Sequence, residues 1–223
     1  MIDTDTWKKL HKELTAKNVR LVAVSKTKPV SDIQALYDLG QRDFGENYVQ
    51  ELVEKQAHLP EDINWHFIGH LQGNKVKQIA HFIHLIHTVD SFKLLAEINK
   101  QAEKNGRIID VLLQMYIADE ATKFGMDEKE IIMLLDHYEA QKDQLKNVRI
   151  CGLMGMATNT ENTEQVRTEF HRLHNFFRFL SDTSFFGRTY FSICSMGMSA
   201  DHGIAIDEGS NMVRIGSMLF GAR

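Results

Sequence analysis

Two segments far apart in the chain carry residue types that could do chemistry together. The first is Leu21-Val22-Ala23-Val24-Ser25-Lys26-Thr27-Lys28-Pro29, an apolar run that ends on Lys26. A lysine at a strand end can attack a carbonyl once its amine is unprotonated. Burial lowers a lysine pKa, and a nearby cation lowers it further. If the strand extends to Lys28, both side chains face the same way and Lys28 supplies that cation. The second segment is Ser195-Met196-Gly197-Met198-Ser199 with Val213-Arg214-Ile215-Gly216-Ser217. It offers hydroxyls, and glycines that let backbone N–H groups approach a phosphate. Taken alone, Lys26 reads better as a solvated lysine at a strand-to-loop junction, and the two later stretches as ordinary turns.

The elements that must position these residues follow from the apolar pattern. A leading helix over Thr6–Ala16 has Trp7, Leu10 and Leu14 on one stripe. Eight strand-like runs follow: 20–25, 43–46, 65–69, 85–89, 110–117, 148–154, 190–194 and 212–215. Helical patterns lie between them, with Ser31 and Ser91 read as N-caps and Gly40 as a helix stop. Regular alternation argues a parallel sheet, and eight units in about 200 residues argue a single-domain (β/α)8 TIM barrel. The rival is an open doubly wound sheet, but no G-x-G-x-x-G follows the first strand.

In such a barrel the active face lies at the C-terminal ends of the strands, and phosphates sit in the loops after strands seven and eight. Lys26, Asn47, Gly69, Gly155, Ser195, Gly197, Gly216 and Ser217 all fall at predicted strand ends. Together they suggest pyridoxal phosphate held on Lys26 as a Schiff base. Arg214 lies inside the eighth strand, where burial is costly unless it is paired. It reads either as one half of an ion pair in the polar end layer or as a partner for a cofactor ring nitrogen. The 11 histidines include His66, His70, His81, His84 and His87, but no Cys or carboxylate completes a recognisable zinc set, so no metal site is expected. The stretch Phe176-Phe177-Arg178-Phe179 reads as a helix packing face.

Composition narrows the classes. A net charge of -4 without a basic block argues against nucleic acid. Two cysteines, Cys151 and Cys194, sit in apolar runs and read as buried free thiols rather than a secreted disulfide scaffold. The N-terminus lacks the pattern of a signal peptide and no apolar run is long enough for a membrane span. A cytoplasmic monomer is the expectation.

Six blocks, in order and over essentially the whole chain, carry a resemblance to a known family. They are 23–29, Phe44-Gly45-Glu46-Asn47, Trp65 through Lys75, Gly152-Leu153-Met154, 195–199, and Val213 through Arg223. The chain resembles the pyridoxal phosphate homeostasis protein family, which looks like the N-terminal barrel of alanine racemase. The resemblance implies a fold-type III barrel with pyridoxal 5'-phosphate on Lys26, Arg214 at the pyridine nitrogen and Asn47 beside the ring. It implies that Ser195, Gly197, Gly216 and Ser217 hold the phosphate. The family commonly has Thr at the position of Ser217, and Gly-Ser-Thr where Gly209-Ser210-Asn211 stands.

A function follows as an expectation. Arginine stays protonated, so it donates to the ring nitrogen and leaves that nitrogen unprotonated, which makes a poorer carbanion sink. Racemases of this fold add a second base from a C-terminal β domain, and the chain ends at Arg223 without one. The reading is therefore a carrier that captures the cofactor and hands it to apo-enzymes, without catalytic turnover. The alternative is a racemase-like enzyme, with Cys194 or His66 as the second acid/base. A third reading is a class I aldolase-like barrel acting on a sugar phosphate through Lys26.

Overall fold

The computed structural model describes residues 2–118 and 124–221. Its strands are β1 (Arg20–Val24), β2 (Asp43–Glu46), β3 (Asn64–Phe67), β4 (Leu85–Val89), β5 (Ile109–Gln114), β6 (Val148–Met154), β7 (Ile193–Ser195) and β8 (Met212–Ile215). They pair in sequence order as a closed parallel barrel, and β1 meets β8 through Val22 opposite Arg214 and Ala23 opposite Ile215. The helices are α1 (Thr4–Ala16), α2 (Val30–Asp38), α3 (Val49–Gln56), α4 (Gly73–Ile79), α5 (Phe92–Lys104), α6 (Glu128–Ala140), α7 (Thr163–Asp182), α8 (His202–Asp207) and α9 (Ser217–Phe220). This is the (β/α)8 barrel that the alternation predicts, and the open-sheet rival falls.

Period-2 alternation divides each strand between two cores. Leu21, Ala23, Phe44, Trp65, Val111, Val213 and Ile215 face outward and pack with the helices. Val22, Leu85, Leu112, Cys151, Met154 and Met212 fill the lumen. Arg214 alternates with Val213 and Ile215, so it belongs to the lumen. The stripe Trp7, Leu10 and Leu14 buries α1, and Trp7 Nε1 donates to Gln41 at 3.0 Å.

Several boundaries differ from the expectation. Pro29, not Ser31, precedes α2: its fixed φ of -69° with extended ψ places the helix start, and its carbonyl accepts from Asp32 and Ile33. Gly40, at φ 107°, does stop that helix. Strand seven starts at Ile193, because Phe191 N–H is already committed to a turn with Arg188. A short α9, unforeseen from the pattern, follows β8. Phe176 is buried as a packing face requires, whereas Phe179 is half exposed. Both cysteines are buried free thiols, as expected. No helix among the described residues is long and apolar enough to cross a membrane.

Candidate cofactor site

Lys26 lies two residues beyond the end of β1, and its surroundings are held by a buried charge cluster. Lys55 Nζ, from α3, donates to Ser25 O at 2.8 Å, Glu46 Oε1 at 2.7 Å and Glu51 Oε1 at 2.6 Å. Ser25 Oγ donates to the same Glu46 oxygen at 2.6 Å, and Thr27 N–H donates to Glu51 at 2.5 Å. The peptides on both sides of Lys26 are therefore fixed. Burial pushes the Glu46 carboxyl above its ordinary value, with Lys55 and Ser25 pulling the other way. Thr27 takes a left-handed φ of 64°, which turns the chain out of the strand. Lys28 thus does not alternate with Lys26 along a strand. It lines the same cavity and donates to Phe220 O at 3.0 Å.

That cavity, about 360 Å³, opens at the C-terminal mouth of the barrel and is lined by Lys26, Asn47, Ser199, Arg214, Gly216 and Ser217, among others. Asn47 follows β2. A Cβ at Gly69 would overlap the Asn47 carbonyl, so glycine there is what lets the β3 loop close on it. Asn47 lines the cavity, and its Oδ1 is buried without a hydrogen-bond partner among the described residues. At Gly216 a Cβ would stand 3.1 Å from the Val24 carbonyl, so the β8 turn packs tightly against β1. Gly216 N–H donates to Ser199 Oγ at 3.3 Å, which joins the loops after β7 and β8 on one wall. Ser217 opens α9, and the first amides of a helix lack intrahelical partners.

Arg214 forms the floor. Its guanidinium donates to Ser195 O at 3.0 Å, Ser195 Oγ at 2.6 Å and Gly155 O at 3.0 Å. All three acceptors are neutral, and no carboxylate among the described residues lies within ion-pair distance. Burial brings its pKa down to about 10, so it stays charged at neutral pH. The ion-pair reading of Arg214 is not what the structure shows.

Behind Arg214 a chain of polar groups runs down the lumen. Ser195 Oγ is 3.4 Å from His87 Nδ1, His87 Nε2 is 2.9 Å from His66 Nδ1, and His66 Nε2 is 2.9 Å from Asp43 Oδ1. With both rings neutral, one direction satisfies every group. Arg214 donates to Ser195, Ser195 to His87, His87 to His66, and His66 to the Asp43 carboxylate. Burial holds His87 well below the usual histidine value, which keeps it neutral as that order requires.

Of the residues singled out from the sequence, Lys26, Asn47, Arg214, Gly216 and Ser217 meet at the cavity. Ser195 and Gly197 do not line it. Ser195 is fully buried and its hydroxyl is engaged by Arg214. Gly197, at φ 96°, lies against α8, where a Cβ would be 2.6 Å from Ala205 Cβ. Ser199 takes the place at the wall, two residues further on. Asn211 splices β7 to β8, accepting from Cys194 N–H at 2.9 Å and donating to Ser192 O at 2.6 Å. Cys194 and His66 are also absent from the cavity wall: the thiol is buried and pushed up to about 12, and His66 belongs to the lumen chain. Ala222 and Arg223, in the last block of the resemblance, lie outside the described residues. Ser199 lies in the quoted segment 195–199 but was not singled out from it; Lys55 and Glu51 carry no motif signal, and their only hint was the four-residue spacing on α3.

The barrel and its mouth define a class. Residues 4–223 match the family described as alanine racemase, N-terminal domain. Solved alanine racemases share the fold at low identity. The Streptomyces lavendulae enzyme aligns with a TM-score of 0.78 at 16% identity, over 100% of this chain and 58% of that one. Within that class the chain belongs to the pyridoxal phosphate homeostasis protein family. It is 39% identical to the pyridoxal phosphate homeostasis protein of Vibrio alginolyticus over 94% of this chain and 88% of that protein. It is 40% identical to the Aquifex aeolicus protein of the same name, over 92% and 87%. PipY of Synechococcus elongatus PCC7942, solved with PLP bound, aligns at 34% identity with a TM-score of 0.85, covering 97% of this chain and 99% of that one.

Proposed function

We propose that this protein binds pyridoxal 5'-phosphate at the barrel mouth, tethered to Lys26, and serves cofactor homeostasis without catalytic turnover. The observation that carries the reading is the meeting of Lys26, Arg214, Ser199, Gly216 and Ser217 on one cavity. PipY, solved with PLP bound, supports the same cofactor. When bound, the group supplies an aldehyde that a lysine amine captures reversibly. Lys26 is the amine. Gly216, Ser217 and Ser199 form the phosphate wall, in place of Ser195 and Gly197. Arg214 donates toward the ring nitrogen, and the neutral acceptors behind it leave its charge undiminished. Asn47 Oδ1 accepts from a group beside the ring.

The lining also bears on turnover. Among the described residues, the titratable side chains that line the cavity are Lys26, Lys28 and Arg214, with no His, Cys, Tyr, Asp or Glu beside them. A two-base reaction at an α-carbon needs an acid/base facing Lys26 across the ring. Neither candidate for that role, Cys194 or His66, is present there. In this proposal the role is capture and release, with PLP-dependent apo-enzymes as recipients and the chain acting as a cytoplasmic monomer. Deuterium exchange at the α-carbon of amino acids in D2O tests the absence of turnover. Exchange no faster than with free cofactor is expected; exchange that depends on Lys26 and exceeds it would establish an enzyme.

A further inference from the structure

The opposite end of the barrel holds a second set of ligating side chains. Asp43 opens β2, His66 is the third residue of β3, and His84 directly precedes β4. These three strands are neighbours, and His84 N–H donates to Trp65 O at 2.9 Å, which registers His84 to β3. One ligand atom from each residue lies within 4.8 Å of the other two. Asp43 Oδ1 and His66 Nε2 are 2.9 Å apart, and the His66 and His84 rings are 5.4 Å apart at their centroids.

A hydrogen-bonded His66–Asp43 pair alone would be ordinary lumen packing. The third member changes that reading. Two imidazoles and one carboxylate, held on a rigid sheet, form a donor set suited to zinc and its first-row neighbours. The other nitrogen of His66 is held by His87 at 2.9 Å, the kind of outer hydrogen bond that orients a metal-bound histidine. His84 is exposed and Asp43 partly so, which opens the cluster to solvent. Of the nearby charges, Arg20 opposes a cation here and Asp110 favours one.

We propose that Asp43, His66 and His84 bind one divalent transition-metal ion of the zinc class at the N-terminal mouth of the barrel, with solvent completing its coordination. Binding has a signature inside the lumen. A metal on His66 Nε2 displaces the proton there, so the neutral ring must carry it on Nδ1. The His66–His87 hydrogen bond then reverses its direction.

The test uses tag-free, chelator-treated full chain, titrated with Zn2+ by calorimetry. Histidine 15N spectra are recorded in parallel to read the tautomers. One ion per chain is expected, with His66 moving from the Nε2–H to the Nδ1–H form. His84→Ala, at an exposed position, should weaken binding about tenfold or more. His81→Ala, at an exposed histidine outside the cluster, should leave it unchanged. Equal affinity in wild type and His84→Ala would overturn the proposal, as would Zn2+ binding that leaves the His66 resonances in place.

Discussion

Arg214 is a buried cation held by three neutral acceptors, and its position depends on them. Ser195→Ala removes one acceptor from a fully desolvated N–H. A loss of about 1–3 kcal/mol is expected in urea unfolding. Ser199→Ala and Ser217→Ala touch the cavity wall instead, so they are expected to weaken cofactor affinity; stability stays within about 0.5 kcal/mol in Ser217→Ala and falls by about 0.5–1.5 kcal/mol in Ser199→Ala, which loses the acceptor of Gly216 N–H. An affinity loss in Ser195→Ala larger than in Ser199→Ala would contradict this division of roles. Lys26 and Arg214 were legible in the sequence because a charge interrupts an apolar run. The choice between Ser195 and Ser199 was not legible. It turns on which residue ends β7, and alternation then sends Ser195 inward to Arg214.

At the scale of elements, α3 is fastened to the ends of β1 and β2 through Lys55. Both Lys55 and Glu46 are buried, so removing one strands the other. Lys55→Met is expected to cost about 3–5 kcal/mol, and Glu46→Gln with Lys55→Met less than Lys55→Met alone. A double-mutant cycle in denaturant measures this coupling. Gly69→Ala would push a methyl into the Asn47 carbonyl. A destabilisation of about 1–3 kcal/mol is expected, together with weaker cofactor binding, since Asn47 must move. The helices and strands themselves were largely readable from periodicity: β2, β4, β6 and β8 fall where the apolar runs place them. β7 was misplaced because it is three residues long, too short for alternation to register. Lys55 was invisible for a different reason. A lysine four residues after a glutamate on a helix looks like any exposed ion pair until β1 and β2 cover it.

At the scale of the molecule, the lumen chain from Arg214 to Asp43 links the two mouths of the barrel and makes stability pH-dependent. Burial depresses the His87 pKa in the folded state, while the unfolded chain keeps a value near 6.5. Below that value the unfolded state binds a proton that the folded state refuses. Stability is therefore constant above about pH 6.5 and falls on acidification, by up to about 1.4 kcal/mol per pH unit for this one group. His84 shifts in the same direction. Thermal melts between pH 7 and pH 5 should show the decline, with a shallower slope in His87→Gln. The barrel as a whole was legible because eight alternating units in a chain this long leave few other closed arrangements. The lumen chain was not, since it joins residues on five different strands that no spacing connects. The central claim is the tether on Lys26, and the visible absorption spectrum of the protein titrated with pyridoxal 5'-phosphate tests it most directly. Wild type should gain a long-wavelength band that borohydride abolishes, leaving a stable adduct that maps to the peptide bearing Lys26, and Lys26→Ala should gain neither. A band and a reducible adduct that persist in Lys26→Ala, or map to Lys28, would contradict the account.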